Sequence, residues 1–160
     1  MKRLLPGSNL ARIVGVLWDN AKDGTKGEWN SAGELGGNDC MTRTAPYWKE
    51  SCFKTLDFAV RQATDAKIWV VLAARAEYAA GQNYGDPGST VFHNETLREQ
   101  FLSMWKHVVS HYASWDYIAA YEVMAEPRDK LASPSTIRGF YQQACAAVHS
   151  VEKETPCMVG

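Results

Sequence analysis

Tyr117-Ile118-Ala119-Ala120-Tyr121-Glu122-Val123-Met124 is the stretch on which the reading of this chain turns. It is apolar and aromatic except for Glu122, and Ala125-Glu126-Pro127-Arg128 ends it. Pro127 has no N–H with which to extend a strand ladder. A short apolar run closed by such a signal reads as a strand. Working outward, two upstream runs share its character. Residues 10–17, Leu-Ala-Arg-Ile-Val-Gly-Val-Leu, read as a buried strand interrupted by Arg12, and residues 67–74, Lys-Ile-Trp-Val-Val-Leu-Ala-Ala, as another. Downstream, Cys157-Met158-Val159-Gly160 looks like the opening of a fourth.

Helical periodicity fills the intervals. From about Pro46, apolar residues recur at Tyr47, Cys52, Phe53, Leu56, Ala59, Val60 and Ala63. Asn94 is a suitable N-cap for a second helix, whose stripe is Leu97, Phe101, Met104, Trp105, Val108, Val109 and Tyr112. Ser133-Pro134 opens a third, running to about Glu152 through Ile137, Phe140, Tyr141, Cys145, Val148 and Val151. The order β-α-β-α-β-α-β predicts an α/β fold with parallel strands and right-handed crossovers. The connections after the strands are long (18–46, 75–93, 125–133) and those after the helices short (64–66, 113–116, 153–156). In such folds the site lies at the carboxyl ends of the strands, on the side of the long loops. Gly24, Gly27, Gly33, Gly36 and Gly37 are spread along the first loop and make no phosphate-cradling turn, which excludes a Rossmann or P-loop reading.

Composition narrows the partners. Seventeen basic residues against 18 acidic ones give a net charge of −1, and no Lys/Arg cluster exceeds Lys2-Arg3, so nucleic acid is not an expected partner. No apolar run approaches the roughly 18 to 20 residues of a membrane helix, so no membrane partner is expected either. Met1-Lys2-Arg3-Leu4-Leu5 begins like a signal peptide, but Pro6-Gly7 ends it before any apolar core, leaving no export signal in this stretch. The cysteines point the other way. Cys40 and Cys52, then Cys145 and Cys157, form two pairs 12 positions apart, and two local disulfides stand against four free thiols. With the sequon Asn94-Glu95-Thr96 they favour a secreted or extracellular setting. No Cys/His spacing suggests zinc, and His93, His107, His111 and His149 read as surface or packing residues.

Glu126 stands where the third strand stops, a carboxylate among aromatics and placed for general acid/base work; an exposed loop Glu beside a Pro is the plainer reading. Here the sequence resembles a family. Glu126-Pro127 looks like the Asn-Glu-Pro signature of glycoside hydrolase family 5, the cellulase-like barrels. Asn9-Leu10-Ala11-Arg12-Ile13 resembles that family's second strand. Leu56 to Val60 followed by Ile68 to Leu72 resembles its second helix and third strand. Phe140-Tyr141-Gln142-Gln143 and Pro156 to Gly160 resemble its fourth helix and fifth strand. The resemblance implies a partial (β/α)8 TIM barrel, a single partial domain over residues 1–160 holding strands two to five. It also implies retaining hydrolysis of a β-glucan, β-mannan or related glycoside without metal or organic cofactor. Glu126 would be the acid/base and Arg12 the arginine that keeps the nucleophile ionised, a role suited to a permanently charged guanidinium. An ion pair between Arg12 and Glu122 is the alternative of equal weight. Glu122, four residues before Glu126 on the same strand face, reads as structural.

The departures are specific. Ala125 stands where the family has Asn, and Ala73-Ala74-Arg75-Ala76-Glu77 where it often has a His, so Arg75 or Glu77 would take over substrate contacts. The family's nucleophile lies on strand seven, beyond Gly160, and a barrel needs roughly 200 to 250 residues against the 160 here. Trp18, Trp29 and Tyr78 lie in the proposed site loops, with Tyr84, and flat rings stack on sugar faces; Trp18, directly after the first strand, is the best placed. Trp48, Trp69, Trp105 and Trp115 are expected in the core or against helices. Besides the enzyme, the sequence admits a non-catalytic carbohydrate-binding half-barrel, self-associating through open sheet edges, or an inactive fragment.

Overall fold

The computed structural model describes residues 9–16, 45–48, 50–75, 90–125, 127, 129 and 131–160, apart from the side chains of Gly15 and Arg75. Among these residues four strands alternate with three helices: β1 (Leu10–Val16), α1 (Glu50–Thr64), β2 (Trp69–Arg75), α2 (Glu95–Tyr112), β3 (Ile118–Ala125), α3 (Pro134–His149) and β4 (Cys157–Met158). The strands form one sheet in the order β1-β2-β3-β4, and each adjacent pair is parallel. The four strands and their parallel pairing follow the sequence pattern.

Local chemistry sets the helix ends. Asn94 Oδ1 accepts from the Leu97 N–H at 3.1 Å, the cap expected for α2. Ser133 Oγ accepts from the Thr136 N–H at 3.1 Å, with Pro134 as the first residue of α3. After α1 the chain turns through Lys67 at φ 57°, and the Ile68 N–H donates back to the Ala63 carbonyl at 3.0 Å, closing the helix in one tight turn. Two boundaries shift from expectation. α1 starts at Glu50, four residues past Pro46, which follows a cis peptide bond, and α3 stops at His149 before Glu152.

The core lies on the helix side of the sheet. Val70, Leu72 and Ala74 of β2 and Tyr121 and Val123 of β3 pack with Phe53, Leu56 and Val60 of α1, Phe101, Met104, Trp105 and Val108 of α2, and Phe140 and Ala144 of α3. Past the last β3–β4 pair, Glu122 with Met158, the β3 carbonyls accept from side chains. Trp105 Nε1 donates to the Val123 carbonyl at 3.0 Å and the Tyr141 hydroxyl to the Met124 carbonyl at 3.1 Å. Each ring thus buries its apolar body and satisfies its polar end.

The expectation that the first two strands are buried needs correcting. On β1, Leu10 and Val14 are 53% and 37% exposed, and on β2 Trp69 is 49% exposed. Trp69 is therefore no core residue. It meets Tyr117 edge-on, with ring centroids 5.2 Å apart, at the amino end of the sheet. Trp48 and Trp105 are buried and Trp115 packs against the core, as expected.

Between α1 and α2 the histidines have polar work that periodicity did not show. His107 Nε2 lies 2.7 Å from Glu50, and His111 Nε2 lies 2.8 Å from Asp57 Oδ1, which also accepts from the Tyr112 hydroxyl at 2.8 Å. The His111 ring stacks on Phe53 at 3.7 Å. One of the two alternatives for the cysteines is resolved in part. Cys145 and Cys157 form a disulfide that ties α3 to β4, and Cys52 is disulfide-bonded too; Cys40 lies outside the described residues. Among the described residues no helix is long and apolar enough to cross a membrane.

Candidate functional site

Strand register decides which sequence positions meet. Val16 of β1 pairs with Ala74 of β2, and Arg75 of β2 pairs with Ala125 of β3. Three strands therefore end along one edge of the sheet. Glu126 follows directly on Ala125, Trp18 comes two residues after Val16, and Glu77 and Tyr78 follow Arg75 within three. The carboxyl edge is thus formed by the strand ends at Val16, Arg75 and Ala125. Glu126, Trp18, Trp29, Glu77 and Tyr78 themselves lie outside the described residues, and Arg75 is described in its backbone alone.

Arg12 is the candidate whose side chain is in view. It lies on β1, whereas its partner Glu122 lies on β3, with β2 between them. Two strand spacings amount to roughly 10 Å, a gap that only long side chains close. In the row beside Glu122, β2 contributes Ala73, whose methyl group leaves the guanidinium room to cross. Arg12 Nε then donates to Glu122 Oε2 at 2.5 Å and its NH2 to Oε1 at 2.7 Å. This fork is the geometry that guanidinium and carboxylate favour. The Arg12 side chain is 48% exposed and that of Glu122 is 7% exposed. A carboxylate so deeply buried needs its partner, because an uncompensated charge there would be costly. Of the two readings of Arg12, the ion pair is therefore present in the structure. Glu122 faces away from the apolar core, in the same row as Ala73, as its place in the strand requires.

Gly160 closes this corner. A Cβ at that position would lie 2.9 Å from the Met124 carbonyl oxygen, 3.1 Å from Glu122 Oε1 and 3.2 Å from Ala125 Cα. Only glycine lets the chain after β4 come so close to the end of β3. Tyr141 approaches the same corner from α3, and burial pushes its hydroxyl up to about 12.

The sequence reading passed over Asp129 and Thr90. Asp129 accepts from Thr90 Oγ1 at 2.8 Å and from the Leu131 and Ala132 N–H groups at 2.7 and 3.1 Å, although it stands in a loop. The available signal was an Asp shortly before a Ser-Pro helix start, a residue type that bonds backbone ahead of it. Its second partner, 39 residues away, has no local signature. Among the described residues no group of three or more His, Cys, Asp or Glu could hold a metal ion.

Comparison with known proteins agrees with this arrangement. A family model described as Cellulase (glycosyl hydrolase family 5) matches residues 28–160. Endoglucanase Cel5A from Thermotoga maritima is similar in fold, with a TM-score of 0.61 and 21% identity over 76% of this chain and 36% of that one. Cel5A in complex with mannotriose gives a TM-score of 0.61 at 20% identity, again over 76% of this chain and 36% of that one. Endo-glycoceramidase II from Rhodococcus sp., solved as a lactosyl-enzyme intermediate, gives 0.61 at 15% identity over 75% of this chain and 38% of that one. The chain spans somewhat more than a third of the length of these structures. No curated protein matches it.

Proposed function

The chain belongs to glycosyl hydrolase family 5, and we propose on that premise that it carries the acid/base half of a retaining β-glycosidase. Its four parallel strands are then part of a (β/α)8 barrel, with residues 1–160 forming one partial domain. The observation that carries this reading is the strand register. It sets Ala125, the residue before Glu126 in the sequence, at the carboxyl edge of the sheet beside Arg75 at the end of β2, within the family match.

In this reading Glu126 first donates its proton to the glycosidic oxygen as the bond to the anomeric carbon breaks. The nucleophile, a second carboxylate about 5 to 5.5 Å away, takes the sugar as a covalent ester. Glu126, now ionised, then removes a proton from the water that displaces the sugar. Arg12, anchored by Glu122, contributes positive charge beneath the site and keeps the nucleophile ionised. Trp18, Trp29 and Tyr78 stack on the sugar rings, while Arg75 and Glu77 bond its hydroxyls in place of the missing strand-end His. Ala125 removes one sugar contact that an Asn would make. The similar proteins were solved with cellobiose, mannotriose and a lactosyl intermediate, which supports a β-glucan, β-mannan or related β-glycoside as substrate. The Cys145–Cys157 disulfide and the sequon at Asn94 support secretion.

Glu126→Gln tests the chemistry. In the full protein, kcat/KM on an aryl β-glycoside with a poor leaving group is expected to fall by about 10² to 10⁴. Unchanged turnover would remove Glu126 from the mechanism.

A further inference from the structure

Asp129 lies three residues beyond Glu126, and its side chain is 2% exposed. Both of its oxygens are occupied. Oδ1 accepts from the Leu131 and Ala132 N–H groups at 2.7 and 3.1 Å, just before the Ser133 cap of α3. Oδ2 accepts from Thr90 Oγ1 at 2.8 Å and lies 3.6 Å from His93 Nε2. Thr90 is itself buried, and its carbonyl accepts from the His93 and Asn94 N–H groups at 3.3 and 2.9 Å, the turn that leads into α2. One carboxylate thus joins the connection after β3 to the connection after β2. Both follow strands that end at the carboxyl edge of the sheet, where Arg75 pairs with Ala125.

A buried carboxylate is tolerated only when its oxygens are bonded, and these bonds then fix where it sits. The consequence falls on the four-residue span before it. Ala125 is 6% exposed and held in the sheet by its pairing with Arg75. Asp129 holds the other end, and between them the Pro127 ring fixes one backbone angle. Ala125 and Asp129, described residues on either side of Glu126 in the sequence, are thus both held in place.

We propose that Asp129, through Thr90, is a positioning residue that sets the reach of the Glu126 carboxyl toward the leaving-group oxygen. The inference rests on the acid/base reading of Glu126 and adds a residue to it. A displacement of about 1 Å in a catalytic group can cost on the order of 10²-fold in rate, so losing either pin should be felt in the proton-transfer step above all.

Leaving-group dependence separates positioning from general damage. A 2,4-dinitrophenolate departs without protonation, whereas phenolate or an alkoxide needs a proton from Glu126. In the full protein, Asp129→Ala is expected to lower kcat/KM about 30-fold on the phenyl β-glycoside and less than about threefold on the dinitrophenyl β-glycoside. Asp129→Asn keeps an oxygen for the Leu131 and Ala132 N–H groups and an amide that can face the Thr90 hydroxyl. It should restore the phenyl glycoside rate to within about threefold of the parent. Thr90→Val cuts only the link between the two connections and should show the same selectivity as Asp129→Ala, more weakly. Equal losses on both substrates, or no loss on either, would overturn the inference. Glu126→Gln, run alongside, tells the two readings apart. If it is selective and Asp129→Ala is not, Asp129 alone is wrongly assigned. If Glu126→Gln is not selective, the acid/base reading falls and the positioning role falls with it.

Discussion

The two faces of the sheet solve opposite problems with the same strands. On the helix side Val70, Leu72 and Ala74 are fully buried among aromatic and aliphatic side chains from three helices. On the other side, one residue out of phase, Leu10, Arg12, Val14 and Trp69 are partly open to solvent while Val71 and Ala73 are buried, and Glu122 brings a charge into that layer. Alternation along a strand makes this division unavoidable, since neighbouring residues point to opposite faces. One face is held by shape and apolar area. The other is held by an Arg–Glu fork that reaches over a whole strand. Stability should therefore be concentrated on the first, and sensitivity to single charges on the second.

Two tryptophans put this contrast at its widest. Trp105 is fully buried, and its indole N–H donates to the Val123 carbonyl. Trp105→Ala should cost about 4 kcal/mol, from the cavity and the orphaned carbonyl together. Trp69 is half open and touches Tyr117 at the sheet's amino end. Trp69→Ala should cost less than about 1 kcal/mol, within the range of partly exposed sites. Urea denaturation of both variants checks the pair, and a larger loss at Trp69 would mean that its face is the better packed.

The same contrast explains what could be read from the sequence. The helix side was legible because its signals are periodic. The stripe Leu97, Phe101, Met104, Trp105, Val108, Val109 and Tyr112 follows from spacing and is buried except for Leu97, which is half-buried, and the caps at Asn94 and Ser133 sit where their residue types call for them. The open face was misread, because Leu10, Val14 and Trp69 are apolar and composition says nothing about which face has helices to cover it. For the site, the position of Glu126 at a strand end was legible, and Arg12 with Glu122 could be named as a pair. That the pair forms across β2 follows only from the register that sets Ala73 between them. Thr90 and Asp129 were invisible, because two loops must be folded before residues 39 apart in sequence can bond.

The Arg12–Glu122 fork is the next test of the open face. Arg12→Met removes the cation and leaves a carboxylate that is 7% exposed without its fork. The cost expected is about 2 to 3 kcal/mol, at the low end for a buried pair because the Arg12 side chain is half in solvent. Glu122→Leu should cost less, since the Arg12 side chain that remains is already half in solvent. The double variant should recover much of the loss, with a coupling energy above about 1 kcal/mol in a double-mutant cycle. Additive losses would show that the fork contributes little and that each residue acts through other contacts.

A smaller effect separates the faces by pH. The tyrosines with raised hydroxyl pKa values belong to the helix side. Burial raises Tyr112, Tyr121 and Tyr141, helped at Tyr112 by its bond to Asp57, and Tyr141 reaches about 12. The folded state therefore keeps phenolic protons that the unfolded chain releases near pH 10. Because the folded state then binds more protons, stability is complete below pH 10 and falls as the pH climbs from there toward the folded values. Tyr121→Phe should flatten that decline. It should also leave stability at pH 8 unchanged or slightly higher, because among the described residues the Tyr121 hydroxyl is buried without a hydrogen-bond partner. Arg12→Met, by contrast, should lower stability by the same amount at pH 8 and at pH 10.5 and leave the slope alone. Urea midpoints at the two pH values distinguish these outcomes. A steeper alkaline decline in Arg12→Met than in the parent would mean that the two faces are coupled through the sheet, and that β3, which carries Tyr121 on one side and Glu122 on the other, transmits the change.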